Sequence, residues 1–363
     1  MKPIDISAYR KSLTKAIPGI SAGFNDPIKW MHTGSYVLDY LVCGKFIGGG
    51  IPLEGKVTMF AGAPGSGKSY IVSGNLTKYC QHNDIFPIII DTENALDTDW
   101  LVSLGVDTSD DKMLKLSMSD IDEVGLTLST FIKDYKAKYG DLPKNEKPYV
   151  LFIIDSLGML LTPTDKAQFE TGDMKGDMGR KAKMLYALMR NVLSQIASEN
   201  IGVVCTNHIY DSQDQYNPDP KLSGGKGAVF ASSIIITMNQ LKLKEDEDGN
   251  KLKEVMGIRS SVKVIKTRYS KPFEDLEIRI PWDSGMDPYS GLFTLFAKKN
   301  VLEKIGNRYK WVSPQDGTEI FKFRKDFTHE DFDRIMLEFK EEKITHIPED
   351  VDEPEVELEN TDD

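Results

Sequence analysis

The chain reads as an α/β protein in which a mostly parallel sheet is flanked by helices, preceded by an N-terminal arm and followed by a small α+β part. Short runs rich in Ile, Val and Phe at 57–61, 86–90, 149–154, 201–206 and 233–238 alternate with helical patterns at 68–81, 121–138 and 180–199. Such alternation marks βαβ units, whose strands are buried on both faces and so lose the polar half of the usual strand pattern. The stretch 241–264 reads as a hairpin turning at EDEDGN, so the sheet is expected to finish in antiparallel strands. With 363 residues, 40% of them apolar, the chain has material for one such core and small appendages.

Each element follows from local pattern. In residues 1–20, Ile6, Tyr9, Leu13 and Ile17 recur at helical spacing before Pro18 and Gly19 stop the run, which gives an arm over 1–29 whose apolar stripe needs a surface to pack on. The core is expected over 30–290. Beyond it, 292–302 reads as a helix, 309–312 and 320–323 as a hairpin around SPQDGT, and 328–339 as a capped helix, together a C-terminal part over 291–347. Residues 348–363 carry too few apolar side chains to order themselves.

Composition narrows the function classes. No apolar run approaches the roughly 20 residues of a membrane span, so a soluble chain with no membrane partner is expected. The start, MKPIDISAYRKSL, lacks the apolar stretch and cleavage site of a secretory leader. Cys43, Cys80 and Cys205 form no CxxC pair and read as core thiols in a reducing, intracellular compartment. A net charge of −11 argues at first against a nucleic-acid partner, but nine acidic and no basic side chains fall in 349–363, leaving −2 for the remainder. A near-neutral body has room for a basic groove.

The string GAPGSGKS at 62–69 follows an apolar run and opens a helical pattern, the context that makes it a phosphate-binding loop. Gly62, Ala63, Pro64, Gly65, Ser66 and Gly67 let backbone N–H groups close around phosphates at a helix N-terminus. Lys68 is suited to neutralise the β and γ phosphates of ATP, and Ser69 to bind Mg²⁺. Asp155 ends the buried run VLFIID, where a second Mg²⁺-linked carboxylate is required. Glu93, in IIIDTENALD just beyond another apolar run, is the candidate for holding the attacking water.

In order and spacing, GAPGSGKS, then IIIDTENALDTDWLVSLGVD (88–107), FIIDS, SGGKGAVFAS (223–232) and VKVIKTRYSKPF (262–273) resemble the RecA family over roughly residues 30–295. SGMDPYSGL (284–292) and TNHIYDSQ (206–213) look closest to its UvsX-type members from myovirus bacteriophages, which implies a bacterial host cytoplasm. The resemblance implies a RecA-like P-loop ATPase core, with Glu93 as catalytic glutamate and Asp97 and Trp100 against the adenine. Tyr70 belongs with the nucleotide-binding loop, and Trp282 matches an aromatic position late in the core that would cover the base. Lys266 and Arg268 match basic residues that reach a neighbouring subunit's γ-phosphate, an arginine-finger equivalent supplied in trans. His208 stands where RecA itself has a phosphate-sensing glutamine, a departure that leaves a titratable group in that place.

Two polar segments, 162–178 and 210–227, interrupt the core and look like the family's two DNA-binding loops. Gly224 and Gly225 would allow close approach to phosphates, while Lys226, Lys183 and Arg190 would contact the DNA backbone. Phe230 matches a residue that packs across the subunit interface near ATP. The implied protein is an ATP-dependent strand-exchange recombinase that forms helical filaments on single-stranded DNA and pairs it with duplex, with single-strand-binding and mediator proteins as further partners. Two alternatives stay open: a hexameric helicase of the same core, and a mediator that binds single strands and uses ATP without hydrolysing it.

Overall fold

The computed structural model describes residues 5–17, 26–172, 179–210, 221–223, 226–245, 251 and 253–339, with backbone alone at 221 and 226–228. The arm contributes α1 (Ile6–Ala16), after which β1 (Trp30–Met31), α2 (Tyr36–Cys43) and β2 (Ile51–Pro52) lead into β3 (Val57–Gly62). A π-helix (Tyr70–Leu76) then runs into α3 (Thr77–His82), followed by β4 (Ile85–Asp91), α4 (Thr98–Ser103), β5 (Leu114–Ser117) and α5 (Ile121–Tyr139). Next come β6 (Tyr149–Asp155), α6 (Pro163–Thr171), α7 (Arg180–Ile196), β7 (Ile201–Asn207), β8 (Ile209–Tyr210), β9 (Lys221–Leu222) and α8 (Lys226–Ala231). The chain continues through β10 (Ile234–Leu243), β11 (Gly257–Lys266), β12 (Asp275–Pro281), α9 (Leu292–Lys298), β13 (Glu303–Ile305), β14 (Arg308–Val312), β15 (Glu319–Phe323) and α10 (His329–Glu338).

Eight strands form one sheet in the order β12-β11-β10-β3-β7-β6-β4-β5. From β10 to β5 the neighbours are parallel, whereas β10, β11 and β12 pair antiparallel, the mixed sheet that the sequence pattern predicts. Every residue of β3 and of β7 is buried, as expected of strands covered on both faces. On one face, Val124, Leu128 and Ile132 of α5 and Leu188, Met189 and Val192 of α7 pack on Phe152 and its neighbours. Asp120 starts α5 by accepting from the N–H groups of Asp122 and Glu123. All three cysteines are buried and free.

The other face shows why the C-terminal part sits firmly. Phe296, Phe332, Ile335 and Met336 belong to the same apolar cluster as Val37, Tyr40, Phe46 and Ile278. The three-stranded sheet β13-β14-β15 and its helices therefore share a core with α2 and the antiparallel end of the main sheet. By contrast α1 buries none of its residues: Ile6, Tyr9, Leu13 and Ile17 remain 70, 64, 49 and 50% exposed.

Three local expectations are revised. The segment 162–178, expected as a polar loop, begins with α6, because Thr162 and Asp165 form a reciprocal capping box and Pro163 occupies the start of the helix. The helix expected at 68–81 takes π geometry over Tyr70–Leu76; Gly74 lies under Leu104, whose Cδ1 is 2.5 Å from where a Cβ would stand. The helix expected at 292–302 stops at Lys298, and Asn300 takes a left-handed φ of 56° before β13 begins. Residues 173–178, 211–220 and 224–225 of the expected DNA loops lie outside the described residues, as do the tail from 340 onward and the turn at 246–250.

Candidate active site

The loops after β3, β4, β6 and β7 meet at the C-terminal edge of the parallel strands, the edge where open α/β sheets bind ligands. The loop after β3 is shaped by its glycines. Gly65 and Gly67 adopt φ of 72° and 93°, a region in which a side chain is strained, and a Cβ on Gly62 would lie 2.3 Å from the Met238 carbonyl. The Lys68 ammonium donates to the Gly62 and Ala63 carbonyls, each at 2.9 Å. Burial pushes its pKa below the ordinary lysine value, against the pull of Asp155 and Glu93. Ser66 Oγ is buried and has no hydrogen-bond partner among the described residues. A buried lysine amine and a buried hydroxyl without a partner, on a glycine-shaped loop that leads into a helix, are donors that a polyphosphate would satisfy.

Ser69, Asp155 and Glu93 line one cavity of about 310 Å³, so the residues suited to Mg²⁺ and to the attacking water share a space. The Asp155 carboxylate is fixed from both sides, accepting from Ser73 Oγ at 2.9 Å and Thr206 Oγ1 at 2.5 Å. Across from it, Glu93 Oε1 accepts from Ser156 Oγ at 2.7 Å and lies 3.1 Å from His208 Nε2. His208 is thus a neighbour of the glutamate. Ser156, which follows Asp155 in sequence, is 3.3 Å from the same ring nitrogen and joins the two.

Toward the other end, Trp100 lines both this cavity and a larger one of about 820 Å³, which it shares with Trp282 and Tyr70. Two tryptophans and a tyrosine around one hollow give flat apolar faces for a nucleobase. Tyr70 also braces that hollow, since its hydroxyl accepts from the Met286 N–H at 3.0 Å and ties the π-helix to the loop after β12. Asp97 lines neither cavity; its carboxylate accepts from the Trp100 N–H at 2.9 Å and caps α4.

A family model described as the RecA N-terminal domain matches residues 10–287, more than three-quarters of the chain. The chain belongs to the RecA family. Among curated relatives, Protein RecA of Ehrlichia chaffeensis is 26% identical over 315 residues, covering 86% of this chain and 80% of that protein. Protein RecA of Paenarthrobacter aurescens is 26% identical over 293 residues, covering 80 and 76%, and Protein RecA of Staphylococcus aureus is 25% identical over 316 residues, covering 86 and 82%. RecA-family membership brings ATP and DNA binding and a place in recombination and repair. No helix among the described residues is long and apolar enough to cross a membrane.

Not every residue singled out from the RecA-like motifs gathers at this edge. Lys266 ends β11 opposite Ile235, near the start of β10, whereas the P-loop follows the far end of β3 at Gly62, which pairs with Met238. Three to four residues of strand, about 10–13 Å, separate those levels. Lys266 instead donates to the Val229 carbonyl at 2.8 Å and the Phe230 carbonyl at 3.3 Å, so it holds the end of α8. Arg268 and Phe230 are exposed, the latter 69%. Lys183 and Arg190 are exposed on α7, with Tyr186 between them and the Arg190 guanidinium 5.6 Å from its ring centroid. Gly224 and Gly225 lie outside the described residues, as does the Lys226 side chain.

Sequence reasoning missed the residues that hold the chemistry in place. Ser73 lies in no quoted motif, and Ser156 and Thr206, though inside FIIDS and TNHIYDSQ, were given no role there; strand order brings Thr206 to Asp155 and Ser156 to Glu93. Asp91 was visible as the last residue of a buried run, like Asp155 at the same level of the neighbouring strand, and that parallel was the available signal.

Proposed function

We propose that this chain is a DNA-dependent ATPase that polymerises on single-stranded DNA, pairs it with homologous duplex and exchanges strands. The observation that carries the reading is a divided site. Ser69, Asp155 and Glu93 line one cavity beside the P-loop and its Lys68, while Lys266 and Arg268 sit at the opposite end of the strands, out of reach of their own P-loop. A site so divided is completed when protomers stack head to tail, which extends into a filament.

In this reading the P-loop backbone and Lys68 bind the phosphates, and Ser69 and Asp155 would hold Mg²⁺, which would supply neutralising charge to the phosphates. Glu93, held by Ser156 and His208, orients water for in-line attack on the γ-phosphorus and takes up its proton as the bond to the β–γ bridging oxygen breaks. Trp100, Trp282 and Asp97 serve the base end. A neighbour's Lys266 and Arg268 meet the charge developing on the γ-phosphate. Lys183, Arg190, Lys226, Gly224 and Gly225 face the DNA backbone, and Phe230 links that surface to the next subunit. The apolar stripe of α1 docks on the adjacent protomer. SGMDPYSGL and TNHIYDSQ extend the reading to a UvsX-type phage recombinase, acting in the host cytoplasm with single-strand-binding and mediator proteins.

The test compares two substitutions. Glu93→Gln keeps the phosphate cradle and is expected to bind ATP and DNA while losing turnover; Lys68→Ala is expected to lose nucleotide-dependent DNA binding itself. DNA-stimulated phosphate release retained by Glu93→Gln would remove the base from the scheme.

A further inference from the structure

Glu93 stands on a short loop, 92–96, that must hold its carboxylate to a fraction of an ångström. Within that loop the order comes from Asp91. Its buried carboxylate accepts from the backbone N–H groups of Glu93 at 3.2 Å, Ala95 at 3.4 Å and Leu96 at 3.2 Å, so the chain is wrapped around one pair of oxygens. Asn94, at the crest, takes a left-handed φ of 51°. A buried carboxylate that accepts only neutral donors is poorly compensated, and the compensation here comes from the next strand. Lys115 of β5 places its ammonium 3.1 Å from Asp91 Oδ2 and donates to the Leu96 carbonyl, also at 3.1 Å. One cation therefore closes the loop at both ends, on the carboxylate where it begins and on the carbonyl where it finishes.

We infer that Asp91, at the wall of the cavity, and Lys115 behind it are positioning residues for ATP hydrolysis, a clasp that fixes the water-orienting Glu93. The inference rests on the reading of Glu93 as the base. The clasp acts on Glu93 far more than on the base end of the site. Trp100 belongs to α4, which is anchored independently by the buried Leu101, whereas among the described residues the loop past Thr92, itself tied to β6 by its N–H on the Asp155 carbonyl and its hydroxyl on Ser156, is held by Asp91 and Lys115. Loosening the clasp should lower kcat and leave the KM for ATP nearly unchanged.

The experiment measures steady-state phosphate release with Mg²⁺·ATP and an oligothymidylate, using the full chain and its Lys115→Met, Lys115→Arg, Asp91→Asn and Glu93→Gln variants. Lys115→Met keeps the aliphatic stem and removes the charge; its kcat should fall about ten- to a hundred-fold, the scale of a misplaced catalytic group, with KM within about three-fold. Lys115→Arg, which can still reach both oxygens, should recover most of that loss. Asp91→Asn should behave like Lys115→Met. Because clasp and base act as one unit, Lys115→Met should add little to the defect of Glu93→Gln in the double variant. A purely structural role for Lys115 predicts a lower melting temperature with kcat unchanged at 25 °C and additive losses in the double variant. If Lys115→Met does not fold, Lys115→Gln, which keeps a donor for Leu96, takes its place in the same comparison. A folded Lys115→Met or Lys115→Gln at full rate beside an inactive Glu93→Gln overturns the clasp alone. Turnover retained by Glu93→Gln overturns the base assignment instead.

Discussion

Weakening the stripe of α1 should separate protomers without unfolding them. Each Ile→Ala or Leu→Ala change removes three carbons, worth about 0.8 kcal/mol apiece when fully buried. Scaled by the 70 and 49% exposure of the two residues, that is about 1.7 kcal/mol for Ile6 and about 1.2 kcal/mol for Leu13 if a neighbour buries them completely. The double variant Ile6→Ala/Leu13→Ala should then lose roughly 3 kcal/mol at each junction, about a hundred-fold in association constant. Because α1 buries none of its residues within its own chain, the melting temperature of dilute protein should stay within about 1 °C of the parent. Sedimentation velocity over a concentration series, with and without a non-hydrolysable ATP analogue, reads the junction, and a thermal melt reads the fold. Unchanged assembly in the double variant would refute the docking of this stripe, and a large fall in melting temperature would show that it packs on its own chain.

Other consequences can be checked on the same protein. Mixing Lys68→Ala with Lys266→Ala/Arg268→Ala should restore part of the DNA-stimulated hydrolysis that each lacks, since some junctions join an intact P-loop to an intact basic pair; mixtures no better than either variant would remove the in-trans role. Trp100→Ala and Trp282→Ala should each weaken binding of a non-hydrolysable ATP analogue by about two- to ten-fold, the loss of roughly 0.5–1.5 kcal/mol of stacking, as read by calorimetric titration. Burial works against the His32 imidazolium, yet its hydrogen bond to Asp39 and the charge there raise its pKa above the ordinary histidine value. That contribution to stability is complete below about pH 6.5, the unfolded-state value, and fades as pH rises through the folded-state value. Melting temperatures measured from pH 6 to 9 should therefore decline more steeply for the parent than for His32→Gln, and parallel slopes would contradict the pairing.

What the sequence made legible follows physical lines. Strands covered on both faces announce themselves as apolar runs, so β3, β4, β6 and β7 and the P-loop between β3 and the π-helix could be read directly. The helix α6 could not be read that way, because none of its residues is buried and Phe169 stays exposed. Its signal lay in the Thr162, Pro163 and Asp165 cap. The triad of Glu93, Ser156 and His208 joins residues 52 to 115 positions apart, and only the strand order brings them to one edge. Lys115 is likewise an ordinary strand lysine in sequence, and the neighbouring strand gives it a partner. The shared core of the C-terminal part was hidden for the same reason, since Phe296 patterns as a local helix residue and meets Phe46 and Phe332 only in three dimensions.

The central claim, that ATP bound between stacked protomers drives exchange of DNA strands, is tested most directly by a strand-transfer measurement. A fluorophore-labelled strand paired in a homologous duplex is followed as a single-stranded oligonucleotide coated with this protein replaces its partner, alongside a forked duplex of unrelated sequence. The expected result is homology-dependent transfer with ATP and Mg²⁺, none with Lys68→Ala, and no opening of the fork. Fork unwinding that needs no homology, with no transfer in the homologous duplex, would contradict the account and identify a motor built on the same core.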